Sequence, residues 1–249
     1  MQELPFTLER SIVIHAPREI VFRYFTESAR WANWWGAGST IDAVPGGKVF
    51  IRYPNGVEAS GEVVYIRPPE RIVFTFGYVS GKPMAPGGSR VTIRLQPEGA
   101  GTRLHLVHEL ADAEARDAHI GGWRFQLSVF GNVVANELFA GAAQVVDAWF
   151  DAWAVADNDA RGKALAEIVT PQVRFRDRYA AIEGIEDLNA HTEAVQKFMP
   201  GVCMVRKGDV RHCQGTVLAD WEASGHSGTN VFVFRADGKI ETVTGFTNP

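Results

Sequence analysis

Hydrophobic positions along this chain switch between a period of two and a period near 3.6, and each switch predicts an element. Residues 11–14 continue an alternating segment with Ile12 and Ile14 on one face, which predicts a half-buried strand. Ala16-Pro17 then opens a helix. Proline suits the first helical position, where its missing N–H would be unpaired anyway, and Ile20, Val21, Tyr24 and Phe25 form an apolar stripe behind it. Ser28 is placed to cap a second short helix ending at Trp34, Trp35 and Gly36. Residues 49–53, 61–66, 71–76, 90–96 and 102–109 alternate or are rich in branched and aromatic side chains. Pro45-Gly46-Gly47, Pro54-Asn55-Gly56, Pro68-Pro69 and Gly99-Ala100-Gly101 separate them, which is turn chemistry between successive antiparallel strands. From Ala113 a long helix begins. Its sheet-facing stripe is Ile120, Trp123, Leu127, Phe130, Val134 and Leu138, widened by Phe125, Val129 and Val133. Gly121-Gly122 within it cost about 1 kcal/mol each against alanine, so a close approach of backbone or ligand is expected there.

Beyond about Gly141 the order reverses, helices first and strands after. Val145, Val146, Trp149, Phe150 and Trp153 form one helical face; Asn158-Asp159 ends or restarts the run; Leu165, Ile168 and Val169 make a second helix that stops before Pro171. Val173, Phe175, Asp177 and Tyr179 then alternate with Arg174, Arg176 and Arg178, so Asp177 shares a strand face with apolar side chains. A carboxylate in such company is costly unless paired, and acid-base sites are built in such surroundings. A third helix, 185–198, places Leu188, His191, Val195 and Phe198 on one face. Strands over 202–212, 216–223, 229–235 and 240–246 complete the chain, grouping Val217, Ala219 and Trp221 on one face and Asn230, Phe232 and Phe234 on another.

A length of 249 residues suits two α+β domains, 1–139 and 140–249. The net charge of -4 gives no electrostatic reason to bind nucleic acid or an anionic membrane. The three arginines at 174, 176 and 178 read as a solvated or intersubunit face rather than a phosphate site. No apolar run approaches the roughly 18 to 20 residues that span a bilayer, and Glu3, Pro5, Glu9 and Arg10 stand where a signal peptide needs an apolar stretch, so a cytoplasmic location is expected. Cys203 and Cys213 read as free, packing thiols. No metal-ligand spacing and no cofactor motif occurs, and His108 and Glu109, adjacent on a strand, point to opposite faces and form no dyad.

Ala16-Pro17 with Val21-Phe22, Trp34-Trp35-Gly36, Pro45-Gly46-Gly47, Pro68-Pro69-Glu70-Arg71, Gly101-Thr102-Arg103-Leu104, His108-Glu109 and Gly122-Trp123 resemble the activator-of-heat-shock-ATPase-like branch of the SRPBCC superfamily. The resemblance implies a helix-grip (START-like) domain, an antiparallel sheet around a long C-terminal helix with a cavity between them. Trp34, Trp35 and Trp123 either line that cavity or pack as core.

Phe175-Arg176-Asp177, Ile182-Glu183-Gly184, Pro200-Gly201, Trp221, Gly228-Thr229-Asn230 and Val243-Thr244-Gly245-Phe246 resemble the SnoaL-like branch of the nuclear-transport-factor-2-like superfamily. This implies a cone of three helices and a bent sheet (cystatin-like), paired into a homodimer through the C-terminal domain. Asp177 matches the strand position of the catalytic base in ketosteroid isomerases, and Asn230 the later strand position that supplies an oxyanion donor. The first-helix tyrosine of those enzymes has no match, because Phe150 and Trp153 occupy that region, leaving Trp153 or His191 as the alternative donor. Three functions follow. One is binding of a small apolar polyketide-, steroid- or aromatic-like molecule, with Trp153, Phe175, Tyr179, Trp221 and Phe232 as contacts. The second is proton transfer next to a carbonyl, with Asp177 as base and Asn230 or His191 stabilising the enolate. The third is a chaperone-associated interaction module.

Overall fold

The computed structural model describes residues 3–201 and 203–248. Val202, with which the expected 202–212 strand begins, lies outside the described residues, as do Met1, Gln2 and Pro249 at the ends of the expected domains. The chain divides into two compact α+β units between Val134 and Ala135.

The first unit runs β1 (Phe6–Ile14), α1 (Arg18–Arg23), α2 (Ser28–Trp35), β2 (Thr40–Ile41), β3 (Lys48–Arg52), β4 (Glu58–Arg67), β5 (Arg71–Tyr78), β6 (Ser89–Glu98), β7 (Gly101–Leu110) and most of α3 (Ala113–Leu138). Its strands form one antiparallel sheet in the order β1-β7-β6-β5-β4-β3-β2. The proline and glycine turns therefore join neighbours, and β1 alone reaches across to pair with β7. Alternation on β7 divides the sheet's faces: Leu104, Leu106, His108 and Leu110 are buried, whereas Glu109 faces outward, where Arg90 donates to it through Nε and Nη2 at 2.7 and 2.6 Å. Trp123, Leu127, Phe130 and Val134 of α3 are buried, and Phe130 packs against the rings of Tyr24, Phe25 and Trp34.

Three expectations change here. Phe125 does not widen the buried stripe; it is 70% exposed, and His119 and Gln126 take the inward positions instead. Ser28 caps no helix, because its hydroxyl donates to the Ile41 carbonyl and accepts from the Ile41 N–H, tying the helix start to β2. Gly121 and Gly122 meet no close backbone: a Cβ at either would find nothing within 4 Å. An alanine at exposed Gly121 thus restricts the unfolded chain without a clash, and Gly121→Ala is expected to stabilise the unit by about 0.5 to 1 kcal/mol, read as a raised melting temperature.

The second unit holds α4 (Ala142–Ala154), α5 (Asn158–Ile168), β8 (Val169–Arg176), β9 (Ala181–Glu183), α6 (Ile185–Phe198), β10 (Val205–Cys213), β11 (Thr216–Ala223), β12 (His226–Phe234) and β13 (Ile240–Thr247). The strand order is β10-β11-β12-β13-β8-β9, with β13 and β8 parallel and the other pairs antiparallel. Asp157 restarts the helical run at α5, its side chain accepting from Ala160 N at 2.8 Å. Trp149, Phe150, Leu165, Val173, Phe175, Leu188 and Phe232 fill the core. On α6 the inward residues are Leu188 and Thr192; Phe198, expected on that face, is 86% exposed. Cys203 and Cys213 are free but exposed, so neither packs as expected. Among the described residues no single helix is long and apolar enough to cross a membrane.

Candidate functional site

In the first unit, the end of α2, the loop after β3, the end of β5 and the middle of α3 surround a cleft of about 680 Å³. Trp34, Trp35 and Trp123 line it together with Tyr53, Phe76, Tyr78, His119 and Gln126. The three tryptophans are almost fully buried, and their rings interlock, Trp34 with Trp35 at 4.2 Å and Trp35 with Trp123 at 5.7 Å between centroids.

Polar groups behind these rings fix their orientation. An indole N–H can only donate, so Trp123 Nε1 donates to His108 Nδ1 at 3.0 Å. His108 Nε2–H then donates to Ser89 Oγ at 2.8 Å, and the Ser89 hydroxyl donates to the Phe76 carbonyl at 2.9 Å. Each member of this chain is satisfied only while His108 is neutral; burial, reinforced by the nearby His119, pushes His108 down to about 3. A second pair lies alongside. The Ala115 carbonyl can only accept, so His119 Nδ1 donates to it at 2.6 Å, and in that tautomer Nε2 accepts the Tyr78 hydroxyl proton, 3.1 Å away. Burial raises the Tyr78 hydroxyl, and burial followed by the proximity of Tyr78 raises Tyr53, so both phenols stay protonated across the working pH range.

Tyr53, Tyr78, His119 and Gln126 went unread in the sequence. A signal existed for the last two: His119, Trp123 and Gln126 recur at four and three, a continuation of the stripe already read from apolar residues. The tyrosines had none: Tyr53 is the last residue of the alternating 49–53 run and Tyr78 lies just past the 71–76 run, positions at which alternation marks no cleft.

In the second unit, the register places Phe175, Val243, Phe232 and Val217 abreast across four strands on the buried face. The next row contains Asp177, Gly245, Asn230 and Ala219. Gly245 leaves a notch: Asn230 Oδ1 and Asp177 Cβ lie 3.1 and 3.3 Å from where its Cβ would be. Asn230 is buried. Asp177, however, sits just past the end of β8 rather than within it, half-buried, and its Oδ1 accepts from Tyr179 N and Ala180 N at 2.7 Å each, the bonds of a tight turn into β9. That turn throws Tyr179 outward to 82% exposure under the Arg178 guanidinium, so Tyr179 does not join the core contacts. His191 stacks near Phe175 and Trp153, with centroids 5.7 and 6.0 Å away, and among the described residues no hydrogen bond joins it to Asp177. Trp153, Phe175, Trp221 and Phe232 are buried, with the indole N–H groups of Trp149, Trp153 and Trp221 unpartnered. Among the described residues no three His, Cys, Asp or Glu side chains gather as a metal site.

Residues 15–135 match the family model described as activator of Hsp90 ATPase homolog 1-like protein. The comparison with curated proteins returns no match. Among solved structures, a protein of the SnoaL-like family from Agrobacterium tumefaciens str. C58 is 22% identical over 43% of this chain and 96% of its own, with a TM-score of 0.41. CalU16 from Micromonospora echinospora is 27% identical over 53% of this chain and 78% of its own, TM-score 0.44. The Aha1 dimer from Colwellia psychrerythraea is 16% identical over 49% of this chain and 90% of its own, TM-score 0.43. The N-terminal half thus resembles the activator-of-heat-shock-ATPase-like branch of SRPBCC, and the C-terminal half matches SnoaL-like folds at low identity.

Proposed function

We propose that the first unit binds a small apolar molecule in the cleft beside Trp34, Trp35 and Trp123. The observation that carries this reading is the cleft itself, about 680 Å³, walled by aromatic rings whose orientation is fixed from behind by the Trp123–His108–Ser89 chain. Ligand sites span roughly 300 to 1,000 Å³ and combine apolar walls with a few placed polar groups, which this cleft does. The sheet with α3 on its buried face supports a helix-grip arrangement, and the three helices and six strands of the second unit support a cone. The outer face of that second sheet carries Leu218, Val231 and Val233 abreast of Thr242 and Thr244, with Phe246 56% exposed, and is the face proposed to pair with a second copy. Native mass spectrometry of freshly purified protein tests both: the expected spectrum shows a dimer carrying a small organic molecule. A bare monomer, unchanged on adding an apolar fluorophore, would end the reading.

A second reading, proton transfer next to a carbonyl, is favoured by the notch that sets Asp177 beside Asn230 on the face shared with Phe175 and Phe232. Asn230 can donate a hydrogen bond at any pH, as an enolate stabiliser must. Asp177→Asn separates the catalytic role from the structural one. The amide oxygen still accepts from Tyr179 N and Ala180 N, so the turn and the melting temperature are expected to hold, while α-proton exchange of a small ketone in D2O, followed by NMR, falls at least about a hundredfold. Loss of stability with unchanged exchange would leave Asp177 a turn residue only.

A further inference from the structure

We propose that the cleft of the first unit selects an uncharged, flat molecule bearing a carbonyl-type acceptor, received by the Tyr53 hydroxyl and the Trp35 indole N–H; this rests on the ligand-binding reading above. Most donor protons on the aromatic walls are already committed. Trp34 Nε1–H is given to the Tyr24 carbonyl at 3.3 Å, Trp123 Nε1–H to His108, and the Tyr78 hydroxyl proton to His119. Two donors remain. Trp35 Nε1 is buried without a partner, although the other two indoles at the same cleft have one. The Tyr53 hydroxyl makes no hydrogen bond among the described residues, and its ring stands perpendicular to that of Trp35, centroids 5.7 Å apart. A buried donor left unpaired is costly, and an acceptor on the ligand relieves that cost.

Charge is excluded by the lining, which contains no Asp, Glu, Lys or Arg. An ion there would lose its hydration without gaining a counter-charge. Flatness follows from the walls, since Trp34, Trp35 and Trp123 present ring faces and edges that a planar molecule covers with most contact per atom. Tyr53 keeps its proton throughout, burial having raised it, and so remains a donor. Tyr78 is the complement: with its proton given to His119, its oxygen is left as an acceptor for a hydroxyl on the same ligand.

Three probes on one skeleton test this by equilibrium dialysis at pH 8 with the full-length chain: fluorene, 9-fluorenone and 9-fluorenone-2-carboxylate. The expected result is that fluorenone binds at least about tenfold more tightly than fluorene, the scale of one satisfied buried donor, and that the carboxylate binds more weakly than fluorenone. Tyr53→Phe and Trp35→Phe should each shrink the ratio of fluorenone to fluorene affinity, the quantity that reports the lost donor. Tyr53→Phe alone decides the matter if Trp35→Phe disturbs folding, because Tyr53 is only half-buried and the ring is kept. Equal binding of fluorene and fluorenone by the unaltered chain, a preference that survives both variants, or tighter binding of the carboxylate would each overturn the proposal. Failure of all three probes to bind would instead remove the ligand-binding reading beneath it.

Discussion

Acidification from pH 7 to pH 4 is expected to cost the N-terminal unit roughly 3 kcal/mol through His108 alone, a figure set by the gap between about 3 in the folded chain and 6.5 in the unfolded one. The direction follows from proton counting. Above pH 6.5 neither state binds a proton at this ring, and the residue makes no difference to the pH dependence. Below 6.5 the unfolded chain takes up a proton that the folded chain refuses, because protonating Nδ1 would turn the acceptor of Trp123 Nε1–H into a second donor inside a fully buried site. Folding stability therefore falls as the pH drops from 6.5 toward 3, and levels off below that. His108→Gln isolates the effect. Its amide can accept from Trp123 and donate toward Ser89 but does not titrate. Carboxylates lowered by ion pairs, such as Glu109 beside Arg90, also lose stabilisation in acid, but equally in both proteins. Urea unfolding of the N-terminal transition at intervals from pH 7 to 4 should give a shallower slope for the variant. Parallel slopes would mean that His108 is not held neutral.

Substituting Arg161 by methionine is expected to destabilise the second unit by about 3 kcal/mol, the scale set by several orphaned buried acceptors. Arg161 on α5 is wholly buried and makes no ion pair among the described residues. Its guanidinium is held entirely by neutral oxygens: Nε donates to Asn189 Oδ1 at 2.7 Å, Nη2 to Asn158 Oδ1 at 2.7 Å, and Nη1 to the Val155 carbonyl at 2.9 Å and Gln196 Oε1 at 3.2 Å. Val155 lies at the C-terminal end of α4, where the helix's free carbonyls favour a cation. One side chain thus joins the end of α4, the start of α5 and the middle of α6. Replacing a buried ion pair by a hydrophobe is often harmless because both partners leave together. Here the acceptors stay behind, and methionine offers them nothing. Arg161→Lys, which keeps charge and three donors but not the planar fork, should recover part of the loss. A methionine variant that unfolds at the same urea concentration as the parent would show that water replaces the guanidinium without cost.

The helices and most strands were legible because their period is a local property. The α6 helix, Ile185–Phe198, and β11, Thr216–Ala223, fall where the apolar spacing places them. The strands missed, β2 with two residues and β9 with three, are too short to express any period. The side of α3 was only half readable, since Phe125 entered the stripe by its hydrophobicity and the geometry spent that position on solvent, giving the inward ones to His119 and Gln126.

What the sequence determined by itself was the pair of α+β layouts and the grouping of side chains within one element, Asn230 with Phe232 on one strand and Phe175 with Asp177 on another; that Trp34, Trp35 and Trp123 line a cleft, and that Phe175 and Phe232 share a face, came only with the tertiary structure. Which polar atom meets which was decided only in three dimensions. Trp123 finds His108 and Ser89 finds His108 because β5, β6, β7 and α3 come together in one register, and Asp177 turns from a strand residue into a turn residue because β9 folds back beside β8. Periodicity reports which face a side chain takes. A hydrogen bond needs a partner at about 3 Å with the right direction, and residues 15, 19 or 28 apart along the chain acquire that distance only when the sheets and helices close on one another.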